Sequence, residues 1–557
     1  MIKAKTVVIV GGVAGGASAA ARLRRLDERS EIILFERGPF VSFANCGLPY
    51  FIGGEIQDRP KLLVQTPQSL HKRFRLDVRV RHEVLSIHRE KKIVTVRDLE
   101  KGAEFEQPYD VLVLSPGASP IQPPIPGIHL TGVHCLRTLA DMDAIKKEVD
   151  SKPKGRVLVV GAGFIGLEMV ESFSRRGWEV LLVEMASQVL APTDPEMAVT
   201  ISRELEAQGV QLALQSQLMG IRESGDGTLL AEWEGASEKV DMVLLSVGVR
   251  PDVQLAVDAG QELGNRKGIK VDPHMRTNDP HIYAVGDAVE VKDAVSGQET
   301  LVPLAGPANR QGRIAADNIA GIPSVFRGSQ GTAIVRVFDI VFAMTGASEK
   351  LLKSQGKRYE KVYLHPASHA GYYPGATPMR LKVLFDPQDG KLLGAQASGA
   401  VGVDKFIDVM ATALQAGFTA HDLEEVELTY APPFNSAKSP ANFAGFIAEN
   451  VRSGRMGVFH CEEAFVPKGD QMLLDVRIHN EFFEGSIPGA VNIPVDDLRE
   501  RMGEIPKNKE ILVFCRTGLR GYMACRILTQ AGFRARNLSG GWLTWEAWRE
   551  SKKILGL

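Results

Sequence analysis

"RVLVVGAGFIGLEMVESFSRRGWEVLLVEM", residues 156–185, reads as a β-branched strand, a glycine turn, a helix and a second strand that ends in an acid. Gly161, Gly163 and Gly166 stand in complete GxGxxG spacing around Phe164 and Ile165, and Glu184 closes the second strand. Glycines so spaced let backbone approach a pyrophosphate at a helix N-terminus, and the acid accepts hydrogen bonds from a ribose diol. One such turn is ordinary α/β punctuation; its recurrence carries the weight. "KTVVIVGGVAGGASAAARLRRLDERSEIILFER", residues 5–37, has the same order, with Gly11, Gly12, Ala14, Gly15 and Gly16 in the turn and Glu36 and Arg37 at the end of the second strand. The acids lie 25 (36−11) and 23 (184−161) residues past the first glycine. The first copy departs from the pattern at Val13, which stands where the second glycine belongs.

Each unit is followed by a matching piece. "YDVLVLSPGASP" (109–120) carries Ser115 and Gly117, and "VDMVLLSVGVRP" (240–251) carries Gly248, so the chain contains an internal duplication. "TNDPHIYAVGDAVE" (277–290) then places Asp287 just after a strand. With these motifs in this order, about the first 450 residues resemble the pyridine nucleotide-disulfide reductase family. The resemblance implies that the first unit binds FAD, with Asp287, Pro303 and Ala305 completing that site, and that the second binds NAD(P)H. A dimerisation domain would follow, making the protein a homodimer. The expected fold is α/β: two Rossmann-like domains of flavoprotein disulfide reductase type, an α+β dimerisation domain and a further α/β domain at the C-terminal side. The expected boundaries are 1–151 and 276–328 for FAD, 152–275 for NAD(P)H, 329–452 for dimerisation and 453–557 for the last domain. Glu184 favours NADH over NADPH, because a carboxylate at the ribose edge repels a 2′-phosphate.

Bulk composition agrees with this division. A chain of 557 residues exceeds what one hydrophobic core organises. Lys plus Arg number 66 against 67 Asp plus Glu, which removes the electrostatic footprint of a nucleic-acid binder. Five scattered cysteines give neither a disulfide framework nor paired zinc ligands, so no metal is expected and the compartment is reducing. "TVVIV" is too short for a signal sequence core, and no apolar run is long enough to span a bilayer. A soluble, cytoplasmic protein that binds neither nucleic acid nor membrane is expected.

"SFANCGLPYFIGG" (42–54) holds one cysteine, Cys46, and the next is Cys135. Two-cysteine members of the family carry CxxxxC here. The single-cysteine branch includes NADH peroxidases and oxidases, which use a sulfenate, and coenzyme A-disulfide reductases, which use a mixed disulfide; both chemistries begin from a thiolate. The peroxidases carry a histidine where this chain has Ala14, whereas "SFANCG" is similar to the coenzyme A-disulfide reductase signature. The resemblance therefore implies that the partner sulfur belongs to coenzyme A, with Ser42, Asn45 and Arg22 as substrate-binding candidates. "YYPGA" (372–376) and "ELTYAPPFNSAK" (427–438) match the same group, in which two tyrosines from the partner subunit reach the sulfurs. They correspond to Tyr372 and Tyr430, with Tyr373 as the alternative for the first. A phenol there would protonate or stabilise the departing thiolate.

Past residue 455 the pattern changes. "LLDVRIHNEFFEGSIPGAVNIPVDDL" (473–498), "EILVFCRTGLRGYMACRILTQAGF" (510–533) and "LSGGW" (538–542) resemble a rhodanese domain. Its active loop would be "CRTGLR", Cys515 to Arg520, set between a strand and a helix. Such a loop aims backbone N–H groups at one point, which favours a thiolate or persulfide anion; Arg516 and Arg520 add positive charge and Gly518 permits the turn. Tyrosine phosphatases place cysteine and arginine one position further apart, so the six-residue ring suits sulfur. Cys525 reads as packing, and Asp475 and Arg477 as supports of the loop. The combined expectation is a reductase of CoA persulfide, CoA polysulfide or CoA disulfide fed by a sulfane-sulfur carrier. An NADH oxidase or peroxidase and a sulfur-relay or redox-sensing protein are the alternatives.

Overall fold

The computed structural model describes residues 4–465 and 467–554. The chain forms two compact units, Met1–Val183 with Gln217–Ser329, and Glu184–Ser216 with Gln330–Leu557.

In the first unit, five parallel strands lie in the spatial order Ile282–Ala284, Val111–Leu114, Thr6–Val10, Glu31–Glu36, Asp77–Val80. The chain's first strand is central, and later strands are added to both sides of it. Strand order therefore reverses beside Thr6–Val10, at the crevice where doubly wound sheets bind nucleotides. Val7, Val8 and Ile9 are fully buried, as a parallel strand covered on both faces requires. Helix Gly15–Leu26 runs beside helix Ala305–Ile319. The two touch backbone to backbone: a Cβ on Gly312 would lie 2.2 Å from the Gly15 carbonyl oxygen. A second parallel sheet repeats the plan in the order Glu179–Val183, Arg156–Val160, Met242–Leu245, Val133–Cys135. Each half also carries a three-stranded antiparallel insert, His82–Pro108 in one and Leu218–Val240 in the other. The duplication read in the sequence is thus a duplication of topology. The outermost strands break it, since Val133–Cys135 precedes its repeat while Ile282–Ala284 lies far downstream of its own.

In the second unit, an antiparallel sheet runs Ala333–Val337, Ile340–Gly346, Leu392–Gly399, Met379–Phe385, Glu360–Leu364. Helices Val403–Ala416, Ala420–Glu425 and Pro440–Arg452 bury Phe406, Ile407, Leu423 and Ala444 against it. A five-stranded parallel sheet follows, in the order Val458–Phe459, Arg534–Leu538, Glu510–Phe514, Gln471–Asp475, Val491–Asn492. Alternation along Glu510–Phe514 sends Ile511 and Val513 into one core and Leu512 and Phe514 into another, so both faces of that strand are covered. Among the described residues no helix is long and apolar enough to cross a membrane.

Candidate functional site

The two glycine turns differ in what demands their glycines. In the first, a Cβ on Gly11 would lie 2.1 Å from the Ser115 carbonyl oxygen and one on Gly16 1.9 Å from that of Gly11. In the second, Gly161 and Gly166 are constrained in the same way, 2.5 Å from Ser246 O and 2.0 Å from Gly161 O. Gly163, however, faces open space, with nothing within 4 Å of an added Cβ, and it is the N-cap of helix Phe164–Arg175 without a side-chain cap. Close-packed outer glycines around an open central one form a cradle that fits a pyrophosphate. Phe164 and Ile165 begin the helix behind it, and Gly248 takes φ +106° after strand Met242–Leu245.

Ala14 holds the first turn with φ 42°, left-handed for a non-glycine residue, at the N-cap of helix Gly15–Leu26. The Gly16 N–H donates to Ser115 Oγ at 3.1 Å. Glu36 accepts from the backbone N–H groups of Gly12 (2.9 Å) and Gly38 (2.8 Å), so its carboxylate is fixed beside the turn, as a ribose ligand must be. Arg37 is exposed and 3.4 Å from Asp252. Gly117 (φ +76°) lies against Arg137, whose guanidinium is 3.8 Å from Asp287. Burial raises the Asp287 carboxyl above its ordinary range and Arg137 opposes this. Pro303 and Ala305 are exposed at the start of helix Ala305–Ile319. In the second unit, Glu184 Oε1 accepts the Ala186 N–H at 2.7 Å.

Cys46 is exposed in the short 3₁₀ turn Asn45–Gly47, ahead of helix Leu48–Ile52. Ser42, at φ 49°, donates its N–H to the Gly12 carbonyl at 2.9 Å, tying this segment to the first glycine turn. Asn45 Oδ1 accepts the Cys46 N–H at 3.1 Å and lies 3.8 Å from the sulfur. Gly47 has no room for a Cβ, which would meet Leu62 at 2.6 Å. Desolvation by the surrounding protein, then Glu168 and Asp287, push the Cys46 thiol above its ordinary value, and Arg137 pulls it down. Glu168 and Arg137 are therefore part of this site, and no local spacing in the sequence announced them. Arg22 is engaged by Asp317 at 2.7 Å.

In the second unit, Tyr372 and Tyr430 are 76 % and 49 % exposed, yet their hydroxyls are hydrogen-bonded at 3.1 Å. Tyr373 instead packs edge-on against His369, with ring centroids 5.9 Å apart. The structure brings together Tyr372 and Tyr430 rather than Tyr373 and Tyr430.

The loop after strand Glu510–Phe514 curls so that the Gly518 N–H points at Cys515 Sγ from 3.1 Å, with Gly518 at φ +105°. Arg516 is exposed, and Arg520 makes a two-pronged pair with Glu481 at 2.6 and 2.8 Å. Arg477 and Asp475 form a buried pair at 2.6 Å; Arg477 also donates to the Gly485 carbonyl and lies over Trp542. Asn537 donates to the Gly518 carbonyl at 3.0 Å. Cys525 is buried in the core below, its thiol raised by that burial. Sequence reading missed Glu481 and Asn537, which come from distant segments. All five cysteines are free.

The pyridine nucleotide-disulphide oxidoreductase model matches residues 5–312, its dimerisation domain 332–441, and the rhodanese-like domain 463–547. A coenzyme A disulfide reductase of Staphylococcus aureus (strain bovine RF122 / ET3-1) is 36 % identical over 444 residues, 80 % of this chain and 99 % of that protein. The crystal structure of reduced Bacillus anthracis CoADR-RHD is 47 % identical and superimposes with a TM-score of 0.96, covering 98 % of each chain. A NAD-dependent persulfide reductase from A. fulgidus is 36 % identical with a TM-score of 0.90, covering 97 % of this chain and 100 % of that one. The chain belongs to the pyridine nucleotide-disulphide oxidoreductase family, with a rhodanese-like domain following the dimerisation domain.

Proposed function

We propose that this chain is an FAD-dependent NAD(P)H oxidoreductase, with NADH favoured, that reduces CoA persulfide, CoA polysulfide or CoA disulfide through Cys46, with Cys515 delivering sulfane sulfur. The observation that carries this reading is the presence, in one chain, of two different thiol settings. Cys46 is exposed on a turn fastened to a nucleotide-binding loop, and Cys515 sits under a backbone N–H in a rhodanese-type loop. We assign the FAD site to Gly11, Gly12, Ala14, Gly15, Gly16, Glu36, Arg37, Ser115, Gly117, Asp287, Pro303 and Ala305. The nicotinamide nucleotide is assigned to Gly161, Gly163, Phe164, Ile165, Gly166, Glu184 and Gly248. When bound, FAD supplies the relay of two electrons from the nicotinamide to the sulfur at residue 46. We assign residues 1–151 and 276–328 to the FAD domain, 152–275 to the NAD(P)H domain, 329–452 to dimerisation and 453–557 to the rhodanese domain.

The Cys46 thiolate attacks the CoA-side sulfur of the persulfide; the terminal sulfur leaves as hydrosulfide, and a Cys46–CoA disulfide remains. With CoA disulfide the leaving group is CoA thiolate. Asn45 and Ser42 set the turn, and Arg22 is a candidate for the anionic end of CoA. The exposed Tyr372–Tyr430 pair suits residues that complete the site of a second copy and hand a proton to the departing sulfur. A homodimer in a reducing, cytoplasmic compartment fits the dimerisation domain and the five free thiols. The sulfenate alternative lacks a histidine at Ala14 and is not favoured.

The test is NADH-dependent sulfide release from CoA persulfide. Cys46→Ser should abolish it, and Cys515→Ser should spare it while impairing the use of polymeric sulfur. Undiminished turnover by Cys46→Ser would remove the proposal.

A further inference from the structure

The segment that follows strand Arg534–Leu538 clamps the backbone of Cys515. Trp542 N–H donates to the Cys515 carbonyl at 2.8 Å and Leu543 N–H to that of Arg516 at 3.1 Å. Gly541 fits only without a side chain, because a Cβ there would stand 2.4 Å from the Cys515 carbonyl oxygen. This clamp is itself gripped from the antiparallel layer. Tyr363 N–H donates to Ser539 Oγ at 3.1 Å, and His365 Nε2 is 2.9 Å from Thr544 Oγ1. Gly540 is pressed between them, with a Cβ placed 2.1 Å from Thr544 Oγ1 and 2.6 Å from Tyr363 Cβ.

We infer that His365, with strand Glu360–Leu364, is a positioning residue for Cys515: it joins both ends of segment 539–544, and through that segment it fixes the loop on which the thiol and the Gly518 N–H must align. The inference rests on the reading of Cys515 as a sulfur carrier. Burial, then the charges of Arg380 and Arg516, push His365 down to about 3, so its ring is neutral at physiological pH, and a backbone hydrogen bond to Gly540 occupies it further. A neutral ring that both donates and accepts is what a bridge between Gly540 and the Thr544 hydroxyl needs.

The step it serves is the attack of the Cys515 thiolate on the terminal sulfur of an inorganic polysulfide. The new bond is Cys515 S–S, the broken bond is the terminal S–S of the donor, and the electron pair leaves on the shortened polysulfide, so charge and sulfur both balance. The experiment loads the FAD- and CoA-containing full-length protein with polysulfide and follows the 32 Da gain on the Cys515 peptide by mass spectrometry. NADH-dependent reduction of CoA disulfide and the melting temperature are measured on the same samples. His365→Ala and Thr544→Val should each slow loading about fivefold, the factor one lost hydrogen bond supports, as a fall in rate constant at saturating donor. CoA-disulfide reduction should stay within about twofold. His365→Gln, which keeps a donor and an acceptor, should restore loading. Loading at the wild-type rate in both variants, or slow loading that His365→Gln fails to restore, would overturn the inference while leaving the sulfur-carrier reading intact. A wild type that takes no sulfur at Cys515 would overturn both.

Discussion

Around Cys46 the charges of the chain work against the chemistry proposed for it. Glu168 and Asp287 stabilise the neutral thiol, and only Arg137 among the named neighbours favours the thiolate. Removing a neighbouring negative charge must lower the pH at which the thiolate forms. Glu168→Gln, which keeps an oxygen for the Tyr50 hydroxyl, should therefore shift the pH profile of Cys46 alkylation to lower pH. Peptide mass spectrometry of iodoacetamide-treated protein reads this directly; an unmoved or upward-shifted profile would contradict the assignment. The tyrosines give a second test at this scale. Hydrogen bonding to Tyr430 holds the Tyr372 hydroxyl protonated to higher pH than a free phenol, the form needed for donation. Tyr372→Phe and Tyr430→Phe should each lower kcat for CoA-persulfide reduction by about 10- to 100-fold, with the double variant little worse. Tyr373→Phe should stay near wild type, because that ring packs on His369. Adjacent tyrosines look alike in a sequence; only the hydroxyl-to-hydroxyl hydrogen bond separates them.

The strand–turn–helix elements make a sharper division among glycines that a motif treats as equal. Gly16→Ala and Gly166→Ala would drive a methyl group to within about 2 Å of backbone carbonyl oxygens, so each should destabilise its unit by roughly 3 kcal/mol or more. Gly163→Ala meets nothing and needs no unusual backbone, since Gly163 has φ −79° and ψ −172°. Its melting temperature should stay within about 1–2 °C of wild type while the KM for NADH rises about tenfold, because the methyl group would fill the cradle. An unchanged KM would place the pyrophosphate elsewhere. These motifs were legible in the sequence because backbone geometry dictates them locally. The cap of the second sheet was not, because Val133–Cys135 is three residues long, too short to carry a period; its counterpart Ile282–Ala284 is equally short and was legible only through the motif that follows it and ends at Asp287. The support of the CRTGLR loop was half legible. Asp475 and Arg477 read as holding it, whereas Glu481, in the same stretch of sequence, and Asn537 became visible only through their hydrogen bonds to Arg520 and to the Gly518 carbonyl.

At the scale of the second unit, one buried cation ties its parts together. Lys382 is fully buried, with Nζ 2.8 Å from Asp194, 2.6 Å from Glu196 and 2.6 Å from Glu349. The three carboxylates converge as metal ligands would, but the ammonium fills their centre. Tyr363 donates to Glu196 at 2.7 Å, and Lys361 bridges Glu349 to Glu462 on helix Cys461–Phe465, so segment 194–196, the antiparallel sheet and that helix share one polar network. Burial alone would raise Glu196 and Glu349; Lys382 more than offsets this and holds both below their ordinary range. Their contribution to stability is therefore present in full above the unfolded carboxylate value of about 4.3 and is lost as pH falls through the lower folded values. Lys382 itself is raised by these acids against its burial, so its contribution holds below about 10.4 and fades only in stronger alkali. Lys382→Met removes the cation and leaves three buried carboxylates facing one another, which should cost about 3–5 kcal/mol at pH 7. At pH 4 the variant's carboxyls can protonate and relieve their repulsion, while those of the wild type, held below their ordinary range by Lys382, keep their ion pairs. The gap in melting temperature between wild type and Lys382→Met should accordingly be wide at pH 7 and narrower at pH 4. A gap that is constant, or that widens in acid, would show that Lys382 acts through packing rather than charge.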